Sequence, residues 1–142
     1  MERDQLVLAA MAAGGENAAF SPAQIQKLFF LIDREAARAT GGPHFAFRPY
    51  DYGPFDHAVY TTVASLAASG LASIRQSNHY RVYSLTPMGF QAGARALERL
   101  APDVRTYIRD LATWILQLNF QQLVTEIYRY YPDMKVNSVF SG

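Results

Sequence analysis

Cysteine is absent from this 142-residue sequence, and only 18% of the residues are charged. Without a thiol there is no disulfide framework, no thiolate zinc site and no cysteine nucleophile, so core packing must carry stability. No apolar run approaches the roughly 18 residues that suggest a membrane-spanning helix. The opening Met1-Glu2-Arg3-Asp4 mixes acid and base, and the apolar stretch from Leu6 to Ala13 is short and lacks a basic leader, so no targeting segment is expected there. These absences predict a soluble cytoplasmic protein. The sequence also has no G-x-S-x-G elbow, and Gly14-Gly15 and Gly41-Gly42 lack the lysine and strand context of a phosphate loop. Asp51, Asp56 and His57 make a poor metal set, because any third ligand would be arbitrary. Neither catalysis, nor a metal, nor a cofactor is expected.

Acidic residues are missing from one long stretch. Between His57 and Leu97 there is no aspartate or glutamate, while Arg75, Arg81, Arg95, His57 and His79 all fall within it. The formal net charge of +1 argues against nucleic-acid binding by bulk charge, since a strongly basic domain is the usual footprint. The local bias nevertheless leaves phosphate contact open there.

What is present is apolar and aromatic: 50% of the residues are hydrophobic and 13% are Phe, Tyr or Trp. That suits one domain over residues 1–142, read as a core at 1–100 with a helical extension at 101–142. Leu6, Val7, Ala10 and Met11 predict a helix from Asp4 to Ala13, ended by Gly14-Gly15. Ser21, Pro22 and Gln24 form a capping signature for a helix reaching Ala39, with Ile25, Leu28, Phe29, Ile32 and Ala36 on its buried face and Lys27, Asp33, Arg34 and Arg38 largely elsewhere. His44 to Tyr52 reads as extended. Pro54 is expected to open the next helix, with Asp56 in its first turn and Val59, Tyr60, Val63, Leu66 and Ala67 as its buried stripe. Leu71–Arg75 and Tyr80–Leu85 predict a hairpin around Gln76-Ser77-Asn78. Thr86-Pro87 starts a helix to about Leu100, and Pro102 restarts helical structure. Val104, Ile108, Leu111, Ile115 and Leu118 then form a seam that serves either the chain's own core or a homodimer. Asn119 caps a last helix, which Pro132 ends.

A helix, a two-stranded hairpin and then Tyr83-Ser84-Leu85-Thr86-Pro87-Met88-Gly89 resemble the wing and following helix of bacterial winged-helix regulators. Lys27-Leu28-Phe29-Phe30-Leu31, Phe47 through Asp56, Val59-Tyr60, Gly70-Leu71, Tyr131-Pro132-Asp133 and Asn137-Ser138 together resemble the YwgA-like proteins, often labelled predicted transcriptional regulators. The same segments are more distantly similar to the Panacea (SocA-like) antitoxin domain. The resemblance implies a mainly α, winged-helix-like domain with a two-stranded β-hairpin and additional C-terminal helices. It departs from a helix-turn-helix in one respect, because 14 residues, Thr40 to Gly53, separate the two helices that a short turn should join.

Two binding surfaces follow. For a DNA-binding regulatory module, Arg75, His79 and Arg81 on the wing would meet phosphates, while Thr61, Thr62 and Ser65 on the third helix would approach bases. That helix offers neither arginine nor lysine for guanine readout. For a protein-interaction module of antitoxin or phage-defence type, Tyr50, Asp51, Tyr52 and Phe55 would meet the partner. The competing reading of that segment is structural, with Gly53, Pro54 and Asp56 shaping a turn and helix start and the aromatic rings filling the core.

Overall fold

Capping chemistry fixes most of the helix starts. In the computed structural model, which describes residues 1–141 and leaves Gly142 at the end of the expected domain outside the described residues, six α-helices alternate with five short strands. Helix α1 (Arg3–Ala13) is followed by β1 (Ala19–Phe20) and α2 (Pro22–Thr40). At the head of α2 the Ser21 hydroxyl accepts from the Gln24 N–H at 3.1 Å, and Gln24 Oε1 accepts from the Ser21 N–H at 2.8 Å. Strands β2 (Arg48–Tyr50) and β3 (Gly53–Phe55) form a separate hairpin before α3 (His57–Ala68). Strands β4 (Ala72–Gln76) and β5 (Arg81–Leu85) form the wing-like hairpin, and α4 (Pro87–Glu98), α5 (Pro102–Leu116) and α6 (Phe120–Tyr130) complete the helices before a 3-10 turn at Pro132–Lys135. Thr86 caps α4 through the Gly89 N–H, and Asn119 and Gln122 repeat the reciprocal cap on α6.

Two placements differ from the sequence reading. Pro54 does not open α3: it lies in β3 opposite Pro49, and Asp56 is the cap itself, accepting from the Ala58 N–H at 2.9 Å. Neither proline has an N–H to give, so an opposed pair fits the position of the ladder that needs none. Strand β1 is too short to leave any periodicity, yet it pairs with β5 through Ala19–Ser84 and Phe20–Tyr83 and extends the hairpin into a sheet ordered β1-β5-β4. The α5 seam, finally, packs on the chain's own core. Ile108, Leu111 and Ile115 are buried, and Val104 and Leu118 are half-buried against the same cluster, which matches the core alternative for the seam.

The core is one cluster running from Leu6 on α1 to Tyr128 on α6. Two helices are enclosed on every side rather than along one stripe: Leu6 through Ala12 of α1 and Ile25 through Ile32 of α2 are all buried. A helix covered all round needs neighbours on every face. For α1 the closest is α4, which approaches at Gly93, where an added Cβ would sit 2.3 Å from the Leu8 carbonyl oxygen and 2.8 Å from Ala12 Cβ. Among the described residues no helix is long and apolar enough to cross a membrane. Gly93→Ala must therefore push α4 off α1, and we expect a loss of about 2 kcal/mol, read as a denaturation midpoint shifted with unchanged slope.

Candidate functional site

The 16 residues between α2 and α3, Gly41 to Asp56, are built into the fold as a platform. The Asp33 carboxylate accepts from the His44 and Phe45 N–H groups at 2.8 to 3.0 Å, and Arg3 donates to the His44 carbonyl. Phe45 and Phe47 pack towards Phe29 and Phe30, with ring centroids 5.7 Å apart. At the other end the Gln26 side-chain amide behaves like a strand neighbour of Asp56. Its Nε2 donates to the Asp56 carbonyl and its Oε1 accepts from the Asp56 N–H, both at 3.0 Å. The Asp56 carboxylate accepts from Ala46 and Ala58 as well, tying the insert to the start of α3.

The hairpin in this insert is strapped from the far end of the chain. Asn137 Nδ2 donates to the Pro49 carbonyl at 3.0 Å, while the Val139 N–H and the Ser138 hydroxyl both donate to the Asp51 carbonyl. Tyr128 on α6 holds Ser138 through a 2.7 Å hydroxyl contact. Gly53 makes the turn possible: its φ is +102°, and a Cβ there would lie 3.3 Å from the Tyr128 ring. The segments singled out in the sequence, around Lys27, Tyr50 to Asp56 and Asn137-Ser138, thus meet in one place.

Between the hairpin, the first turns of α2, Tyr60 of α3 and Phe120 of α6 lies a cleft of about 340 Å³. Two groups of rings line it. Tyr50, Phe55 and Tyr60 follow one another with centroids 5.3 to 5.7 Å apart, with the buried Tyr83 stacked behind Tyr60 at 5.5 Å, and Tyr52 meets Phe120 edge to face at 5.1 Å. Tyr50 is 50% exposed, and Tyr52 and Phe120 are each 45% exposed, an unusual solvation for rings already arranged side by side. Pro22, Ala23 and Phe120 also line a second hollow of about 500 Å³ that reaches Tyr80 at the β4–β5 hairpin.

Lys27 belongs to this cleft and not to the polar side of α2. It is 4% exposed, and its Nζ has one acceptor among the described residues, the Pro54 carbonyl at 3.4 Å. Burial alone lowers its pKa from 10.5 to about 8, so at pH 7 the cleft holds a charged ammonium with no carboxylate set against it. The Tyr60 hydroxyl is pushed up to about 12, mainly by burial and further by Tyr83, with a Gln26 hydrogen bond acting the other way. The sequence carried a signal for Lys27: residues 25–32 are apolar except for Gln26 and Lys27, and no acid stands three or four positions away. Gln26, Tyr60 and Phe120 reach the site only through tertiary packing.

The other candidates separate. Tyr50, Asp51, Tyr52 and Phe55 all line the cleft. Thr62 is a correction: it is buried at 7% exposure with its hydroxyl donating to the Ala58 carbonyl at 2.6 Å, because the helix turns that position towards the core. Thr61 and Ser65 are exposed on α3, and Arg75, His79 and Arg81 are exposed on the β4–β5 hairpin. In the β4–β5 register Gln76 faces Arg81 and Arg75 faces Val82, so the two arginines leave the ribbon on opposite faces. Among the described residues no three His, Asp or Glu side chains converge on a metal position. No family model matches the chain, and neither a curated protein nor a solved structure matches it.

Lys27 makes stability depend on pH in a defined direction. Between its folded value of about 8 and 10.5, the unfolded chain binds the proton that the folded chain has released, so stability rises with pH. From pH 7 to pH 9.5 this amounts to about 2 kcal/mol. Above pH 10 the raised pKa values of Tyr60, Tyr107 and Tyr131 reverse the trend, because the folded chain then keeps protons that the unfolded chain loses. Urea unfolding across this range should show the rise in the parent protein and its loss in Lys27→Met.

Proposed function

We propose that this chain is a non-catalytic protein-interaction module that seats an extended segment of a partner protein in the aromatic cleft. The observation that carries the reading is the insert itself. Residues that would spoil a helix-turn-helix instead form a platform whose exposed Tyr50 and Tyr52 stand beside Phe120 over a buried cation. Half-exposed, mutually packed tyrosines lose little rotamer freedom on binding and bury large area, the usual properties of an interface anchor. The neighbouring hollow at Tyr80, which shares Pro22, Ala23 and Phe120 with the cleft, favours a length of chain over a compact small molecule. The likeness of these segments to YwgA-like proteins and to the Panacea antitoxin domain agrees with a binding role.

A winged-helix scaffold is part of the same proposal. Its support is the order helix, strand, helix, helix, strand, strand with a β1-β5-β4 sheet, once the β2–β3 hairpin is set aside as an insertion. One observation favours a second reading, DNA binding through the wing: Arg75, His79 and Arg81 are all exposed in a stretch of sequence without acids. Against it stand the bare face of α3 and the opposite projection of the two arginines.

Both readings have direct tests. The product of the adjoining gene should co-purify with the parent protein, and Tyr52→Ala should weaken that complex at least about tenfold with an unchanged unfolding midpoint. Undiminished capture by the mutant would reject the cleft as the docking surface. For the wing, duplex binding at about 50 mM salt that weakens on Arg75→Ala and Arg81→Ala is the expected sign, and no binding under those conditions rejects it.

A further inference from the structure

We propose that the cleft selects a carboxylate, delivered by a glutamate or aspartate side chain of the bound segment and received by the Lys27 ammonium. This rests on the interaction reading above and names the chemistry of that same site. Three observations lead to it. The Lys27 ammonium lies in the floor of the cleft with one long hydrogen bond, to Pro54, which leaves two N–H groups without an acceptor among the described residues. A buried cation of this kind is costly unless a charge-assisted partner arrives. The carboxylates at the site are bonded elsewhere or stand at its exposed edge. The Asp56 carboxylate is occupied by the Ala46 and Ala58 N–H groups, and Asp51 stands exposed on the hairpin turn with no bond to Lys27.

The remaining titratable groups around Lys27 are phenols. Tyr60 faces it from α3, Tyr50 and Tyr52 from the hairpin, and Tyr128 from α6 with Lys135 over its ring. Burial raises the Tyr60 pKa and keeps that phenol neutral at pH 7. The only charge that an incoming group meets in the floor is therefore positive. The aromatic walls demand apolar atoms on either side of the anion, so a bound segment should carry an acidic residue flanked by apolar or aromatic ones.

The test uses blocked pentapeptides with a central glutamate between two phenylalanines, the glutamine counterpart, and 3-phenylpropionate as a free acid, each titrated by calorimetry. At pH 7 the glutamate peptide should bind at least about tenfold tighter than the glutamine peptide. The preference should vanish in Lys27→Met. In the parent protein it should shrink towards parity by pH 9.5, since the free ammonium has then largely lost its proton. The pH series needs no mutant, so the proposal stays testable if Lys27→Met fails to fold. Equal affinities, a preference that survives in Lys27→Met or at pH 9.5, or no peptide binding at millimolar concentration would each overturn it. Binding of 3-phenylpropionate as tight as that of the glutamate peptide would overturn the choice of a peptide source. Loss of the carboxylate preference with Tyr52-dependent partner capture intact would leave the interaction reading standing and remove only this inference.

Discussion

The paired hydrogen bonds between the Gln26 side chain and the Asp56 backbone hold the rest of the site in place. Gln26 is 1% exposed, and both ends of its amide are satisfied by the backbone of one residue. Loss of either bond would strand a polar group in the core at about 1 to 3 kcal/mol, which makes the junction of α2, the insert and α3 hard to shift. From that junction Asp56 reaches back to Ala46 and forward to Ala58, and the neighbouring Lys27 reaches Pro54. The hairpin is thus fixed at its base by α2 and at its tip by Asn137, Ser138 and Val139. A cleft with walls anchored at both ends is preformed, and a preformed site spends less of its binding energy on ordering.

Much of this architecture was legible because caps and prolines act locally. Ser21-Pro22, Thr86-Pro87 and Asn119 mark helix starts through bonds to residues two or three positions away, which a sequence states directly. What was hidden depends on distant partners. Pro54 carries the same local grammar as Pro22 and Pro87, but pairing with Pro49 draws it into a strand. Lys27 reads as polar-face under a one-stripe view of α2, and it is buried because α5, α6, β3 and α3 surround the helix. Thr62 was misplaced for the related reason that a small hydroxyl can enter a core by bonding its own helix backbone. Tyr50, Asp51, Tyr52 and Phe55 were found as a group from their spacing, whereas Phe120 and Tyr60 join them from other helices.

Charge separates the two candidate surfaces more clearly than shape does. The wing carries exposed, solvated cations that would act at long range and be screened by salt. The cleft carries one cation in a low-dielectric floor, where a matched anion gains far more and a mismatched group pays the whole desolvation cost. The first arrangement suits attraction without discrimination, and the second suits selection of a particular side chain. The acid-free stretch from His57 to Leu97 supplies the first, while the second depends on a single lysine outside it.

The state of that lysine is therefore the quantity to measure. The sequence has only two lysines, Lys27 and Lys135, and Lys135 is exposed, so side-chain carbon NMR of lysine-labelled protein resolves the pair with little ambiguity. A titration midpoint for Lys27 near 8 is the predicted result. A midpoint close to 10.5, the value of a lysine in water, would contradict a buried ammonium in the floor of the cleft and with it the account of what the cleft selects.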